Sequence, residues 1–156
     1  EGWYNMDGDF IFVYGKLREA YSDKSLFGID SLVTLPVETT GKLYKYQKNA
    51  VLIKDDKSKV FGNLLSASDM EKILRHTDSF MGFNEDDYAN SRYVRVVKKV
   101  FIPQTGDELK VWCYIFPSSR LEILEKDGTL IESGDWFKYL EEQREEDLIK
   151  RKNKNV

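Results

Sequence analysis

The sequence predicts one α+β domain: several mostly antiparallel strands, curled toward a small barrel, with flanking helices. Three observations predict it. Residues 92–102 and 109–116 form a strongly patterned strand pair, residues 68–79 carry a capped helical pattern, and a charged helical segment follows residue 133. A chain of 156 residues is one domain's worth of sequence and can bury a core without covalent staples. The expected unit is the whole chain, with its core over about 10–140. No internal repeat and no Pro/Gly/Ser linker divides it.

Taken in order, residues 10–14 (FIFVY) are a short, continuous aromatic and β-branched run, which suits a strand buried on both faces. Gly15 ends it. Residues 17–29 mix apolar and charged positions before Gly28 and read as a loop with a short helix. Residues 32–46 carry Pro36, Thr39, Thr40 and Gly41 before KLYKY, an extended segment bent at the glycine. Strands are expected at 50–53 and 59–65, with KDDKS at 54–58 as a hairpin loop. Ser68 and Glu71 have capping-box spacing, and Met70, Ile73 and Leu74 continue the helix.

Over 92–102, Val94, Val96, Val100 and Ile102 share one face, while Tyr93, Arg95, Val97 and Lys99 share the other. The partner strand is apolar on both alternating sets, Val111/Cys113/Ile115 and Trp112/Tyr114/Phe116, so it belongs mid-sheet with both faces covered. A closed or strongly curled sheet does this. Ser133 is placed to cap a last helix through Trp136, Tyr139 and Leu140, whose tail is acidic first and basic last, as the helix dipole favours.

Composition excludes several classes. Hydrophobic residues at 41% and charged residues at 33% fit a globular chain, and a formal net charge of -3 supplies no global field for phosphate polymers. No run approaches the roughly 20 apolar residues a membrane helix needs, and no signal-peptide pattern opens the chain. Residues 1–5 precede Met6, read as a remnant or a processing product, and carry no fold expectation. One cysteine and one histidine cannot build a four-ligand zinc site or an internal disulfide, which favours a cytoplasmic setting.

Each residue type that could carry chemistry has a plainer alternative. His76 lies in the capped helix with no nucleophile motif to serve, so a surface histidine is the default. Cys113 sits on an apolar strand, where a thiol behaves as a small hydrophobe. The acidic run at 84–87 lacks the spacing of a calcium loop and reads as solvated. Arg92, Arg95, Lys98, Lys99 and Lys110 suggest a stripe with Tyr93 to stack a base, but Arg92 and Arg95 point to opposite faces, and edge charges that deter aggregation account for them. The strand that stops at Gly15 offers a concave nest of backbone N–H groups, suited to a carboxylate or phosphate, although a glycine after a strand is ordinary punctuation.

VYGKLR at 13–18 resembles the V-Y-G-T/S-L-R signature that opens the γ-glutamylcyclotransferase-like family, which includes the AIG2-like and butirosin-cyclotransferase proteins. The family's order continues in G-K-L-Y at 41–44, V-x-G-x-L at 60–64, D-S-F-M-G-F at 78–83, S-x-Y-V-R at 91–95 and E-S-G-D-W at 132–136. The resemblance implies a mostly antiparallel barrel with a pocket for a γ-glutamyl group at its mouth. Tyr14, Gly15, Lys16 and Leu17 inherit the substrate-binding role, joined by Tyr93. The implied reaction is intramolecular: the γ-glutamyl α-amine attacks its own γ-carbonyl, forming 5-oxoproline and releasing the attached amine. It uses no metal and no organic cofactor.

In that family a glutamate directly before the glycine of D-x-F-E-G-Y moves the proton, and the matching residue here is Met81. A thioether cannot take a proton from an ammonium group, and general acid–base catalysis contributes roughly 10²- to 10⁴-fold. Lys16 departs from the usual Thr or Ser. Three readings follow, in this order: a ligand-binding member lacking the proton acceptor; an active cyclotransferase in which Glu85, four residues beyond Met81, or Asp78 or Asp87 substitutes; and an interaction or single-strand-binding barrel. The expected partner is a small molecule, with no nucleic acid and no membrane, and the sequence leaves the oligomeric state open.

Overall fold

The computed structural model describes residues 6–22 and 31–155. Five strands close into a barrel in the order β1-β5-β2-β6-β7, formed by Met6–Val13, Lys59–Ala67, Ser31–Thr40, Val94–Ile102 and Asp107–Ile115. Every pairing is antiparallel except β1 with β7, which runs parallel and completes the closure. A second, three-stranded sheet has the order β4-β3-β8, formed by Asn49–Ile53, Lys42–Tyr46 and Thr129–Leu130. The helices are α1 (Lys16–Ser22), α2 (Met70–Met81), α3 (Leu121–Asp127) and α4 (Trp136–Lys154). This is the α+β barrel that the sequence predicts.

The alternation of β1 and β7 explains the layering. Phe12, Leu64, Val100, Ile102, Val111, Cys113 and Ile115 pack together, while the intervening Lys99 and Phe101 of β6 remain exposed, so the buried set fills the barrel. The opposite faces of β1 and β7 present Ile11, Val13, Tyr114 and Phe116 to a second core, which Ile73 and Met81 of α2 and Leu17 and Tyr21 of α1 cover. Strand segments covered on both faces need apolar residues at consecutive positions, and residues 10–13 of β1 and 111–115 of β7 have them. Cys113 is free and buried in the barrel core, where burial pushes its thiol up to about 12. His76 is exposed on α2.

Several local expectations require correction. The cap of α2 is Asp69, whose carboxylate accepts from the Lys72 N–H at 3.1 Å; Ser68 lies one residue outside because aspartate caps as well as serine. Likewise α4 is capped by Asp135, which accepts from the N–H groups of Phe137 and Lys138, while the Ser133 hydroxyl accepts from the Asp135 N–H. Residues 54–58 do not close a hairpin: β4 pairs with β3 and β5 with β1 and β2, so that segment crosses between sheets. The tight turn lies instead at Gln47 and Lys48, both with positive φ (50° and 72°), between Tyr46 and Asn49. A two-residue turn of this kind normally uses Asn-Gly, and Gln-Lys conceals it.

After Gly15 the chain turns at once into α1, whose Leu17, Ala20 and Tyr21 share a buried face. Residues 23–30, including Gly28, lie outside the described residues. The basic stripe also dissolves. Arg95 turns to Asp78, Lys99 pairs with Glu108 at 3.3 Å, and Lys98 falls on the inward set of β6, where burial lowers its pKa. Among the described residues no helix is long and apolar enough to cross a membrane.

Candidate functional site

A cavity of about 200 Å³ opens where four chain segments converge: Tyr14 to Leu17 after β1, Asn49 and Ala50 at the start of β4, Phe80 and Met81 at the end of α2, and Arg92 and Tyr93 before β6. The close approach of the first two segments demands glycine. A Cβ added at Gly15 would stand 2.5 Å from the Ala50 Cβ, inside any permitted contact. With no side chain there, the turn lies flat against β4 and presents its backbone to the cavity.

Met81 is fixed by how α2 ends. Gly82 adopts a left-handed conformation (φ 66°), its N–H bonds the Ser79 carbonyl at 3.2 Å, and the Phe83 N–H bonds the Asp78 carbonyl at 2.9 Å. That is a Schellman cap, and it makes Met81 the last helical residue, only 9% exposed. The Gly82 carbonyl accepts from the Arg92 N–H at 2.9 Å, while the Arg92 side chain lies where a Gly82 Cβ would be. Glycine thus seats the guanidinium at the cavity rim.

Two polar braces hold these walls. Asp78 accepts from the Arg95 guanidinium through both oxygens (2.8 and 3.1 Å) and from the Tyr114 hydroxyl at 2.5 Å, tying the last turn of α2 to the barrel. Thr77 adds a 2.6 Å hydroxyl contact to Tyr114, and the Arg95 guanidinium lies over the Trp112 ring at 4.4 Å. On the other side Arg18 donates to Asn63 at 2.7 Å and to Asp135 at 3.1 Å, and lies over the Phe137 ring at 4.0 Å. The Trp136 indole N–H donates to Glu19 at 2.9 Å. Together these lock α1, and so the Gly15 turn, onto the start of α4.

The lining is rich in donors and poor in acceptors of protons. Lys16 and Arg92 supply two cations, and among the described residues no Asp, Glu, His or Cys lines the cavity. The tyrosines are committed. Tyr14 donates to the Tyr114 carbonyl at 2.6 Å, and Tyr93 donates to the Ala50 carbonyl at 2.7 Å. Burial raises the Tyr14 pKa well above the ordinary value and pushes that of Tyr93 up to about 12, so both stay neutral at physiological pH. Such a surface can hold an anion or polarise a carbonyl; among the described residues that line it, none carries a carboxylate or imidazole to take a proton from an ammonium group.

The structure brings Met81 together with Tyr14, Gly15, Lys16, Leu17 and Tyr93. It does not bring Glu85 there: that side chain is exposed in the segment after α2 and does not line the cavity. Asp78 is spent on Arg95 and Tyr114, and Asp87 accepts from the N–H and amide of Asn90. Sequence reasoning missed Arg92 as a lining residue, having assigned it to a stripe, and missed the Asp78–Arg95–Tyr114 brace, although Asp78 and Arg95 both lie inside matched motifs. Among the described residues no group of three or more His, Cys, Asp or Glu is placed to hold a metal ion.

Comparison with known proteins agrees with this architecture. The chain is 27% identical over 134 residues to the "putative gamma-glutamylcyclotransferase" of Methanocaldococcus jannaschii, covering 84% of this chain and 98% of that one. Its fold is similar to an AIG2-like protein of Mus musculus (TM-score 0.61, 18% identity, 82% of this chain and 87% of that one). It is also similar to YkqA of Bacillus subtilis (TM-score 0.60, 18% identity, 88% of this chain), of which it spans only 42%. Residues 11–138 match the family described as gamma-glutamyl cyclotransferase, AIG2-like, and the chain belongs to that family.

Proposed function

We propose that this protein binds a small anionic ligand, with a γ-glutamyl compound as the leading class, in the cavity between the Gly15 turn and Met81, and that it does not cyclise that ligand by the usual acid–base route. One observation carries the reading: among the described residues two cations and no carboxylate line the cavity, with Met81 standing where the family resemblance puts the proton-transferring glutamate. A carboxylate of the ligand gains from Lys16, Arg92 and the backbone N–H groups of the turn. Cyclisation needs a neutral α-amine as nucleophile and a proton for the leaving nitrogen. Neither the thioether of Met81 nor a tyrosine held neutral by burial supplies that relay.

The test is to incubate the protein with a panel of γ-glutamyl compounds, follow 5-oxoproline, and measure binding by calorimetry in parallel. The expected outcome is binding weakened by Lys16→Thr or Arg92→Ala, with no 5-oxoproline above the buffer blank. Met81→Glu is expected to bring turnover, since the remaining walls are intact. Wild-type turnover lost in Glu85→Gln would overturn the reading and assign the base to the loop after α2.

A further inference from the structure

The last helix outruns the domain it belongs to. In α4, Trp136, Phe137, Tyr139 and Leu140 pack on the barrel, and beyond Gln143 every residue through Asn155 is exposed. Leu148 and Ile149 lie in that stretch, 63% and 60% exposed, the two most exposed large hydrophobic side chains among the described residues. A helical arm of this length is marginal in water without a partner, and the pairs Glu146/Lys150 and Asp147/Arg151 at i,i+4 spacing add only about 0.2–0.5 kcal/mol each. The arm's own contacts give no reason for two adjacent aliphatic residues at its centre.

The charges around them supply one. About the midpoint between Leu148 and Ile149 the sequence is antisymmetric: Asp147 mirrors Lys150, Glu146 mirrors Arg151, and Glu145 mirrors Lys152. One step further out, Arg144 mirrors Asn153 and Gln143 mirrors Lys154, so no like charges coincide. On the helix, Glu145, Leu148, Ile149 and Lys152 share one face at i, i+3, i+4 and i+7 spacing, while Asp147 and Lys150 lie on the far side. A two-fold axis through that midpoint sets two copies of this face antiparallel, brings each Glu145 against the other copy's Lys152, and places each Leu148 against the other copy's Ile149 at the centre. A parallel arrangement would oppose each charge with itself.

We propose that the arm of α4 from about residue 143 onward is a self-association surface whose occupant is the same segment of a second copy of this chain, docked antiparallel across Leu148 and Ile149. The contact is a symmetric, isologous one. About three turns of helix from each copy bury less than the roughly 1,200 Å² at which standard interfaces begin, so the dimer is weak and dependent on concentration. Because its specificity is electrostatic and exposed, it weakens as salt shortens the screening length. The interface lies away from the candidate cavity and does not depend on what that cavity binds.

Sedimentation velocity on the full chain, in a concentration series at about 50 mM and about 500 mM salt, tests this. A monomer–dimer equilibrium is expected at low salt, shifted toward monomer at high salt and abolished by Leu148→Glu/Ile149→Glu. Two charge-reversed variants decide the geometry. Glu145→Lys and Lys152→Glu are each expected to be monomeric alone and to form a heterodimer when mixed, with circular dichroism showing each one folded. A wild type monomeric throughout the low-salt series, a dimer that survives either reversal, or a mixture that stays monomeric overturns the proposal.

Discussion

Asp78 and Met81 lie three residues apart on one face of α2, yet they belong to different regimes. Asp78 is a carboxylate with its oxygens engaged by Arg95 and Tyr114, and it fastens the helix to the barrel. Met81 faces the cavity, where the family resemblance places a carboxylate, and contributes volume without a charge. The contrast separates two demands on a single turn of helix. The bracing acid cannot be exchanged without leaving partners stranded; the cavity-facing residue can change character while the walls stand, because nothing structural leans on its polar chemistry.

The largest effect is expected where the brace is broken. Asp78→Ala strands the Arg95 guanidinium, whose side chain is only 13% exposed, and leaves the Tyr114 hydroxyl with Thr77 alone as its partner. Removing one partner of a mostly buried pair typically costs about 3–5 kcal/mol, and the partial exposure of Asp78 favours the lower end, about 3 kcal/mol. Urea unfolding measures it. Asp78→Asn, which keeps the shape and one acceptor oxygen, should lose less; equal losses would mean that packing rather than charge holds the brace.

Alkali separates the two regimes next. Burial pushes the Tyr93 pKa up to about 12 from an ordinary value near 10, and raises that of Tyr114 further with the help of its bond to Asp78. A group whose folded pKa lies above its unfolded one contributes stability that is fully present below the unfolded value. That stability is lost as pH climbs toward the folded value. Stability should therefore fall between about pH 10 and 12, by an amount on the order of 2 kcal/mol for Tyr93 alone. Tyr93→Phe should flatten part of that fall, and an unchanged slope would show that the cavity tyrosine does not contribute to it.

Much of this was legible in the sequence, and what was not has physical reasons. β6 announced itself because period-two alternation survives wherever one face is covered, and the second half of β7 and residues 10–13 of β1 did so because covering both faces leaves a continuous apolar run. The cavity residues Tyr14, Gly15, Lys16, Leu17, Met81 and Tyr93 came from motif order. Arg92 escaped because its placement depends on the Gly82 cap, a contact with no periodic trace. The β3–β4 hairpin escaped because Gln47 and Lys48 adopt positive φ that their residue types disfavour. The three-residue brace escaped because its members lie on α2, β6 and β7, and only the folded barrel brings them together.

The smallest expected effect tests the other half of the contrast. If Met81 supplies only volume to the outer core, Met81→Leu, which nearly conserves volume, should change the unfolding free energy by less than about 1.5 kcal/mol. It should also leave ligand affinity within a few-fold of wild type, because the cations and the Gly15 turn that hold the anion are untouched. Paired with Asp78→Ala, this gives a ratio between two substitutions on one helical face, read by the same urea titration. Should the leucine variant instead lose ligand while keeping its stability, the thioether itself contacts the ligand. The cavity-facing end of α2 would then be a recognition surface in its own right.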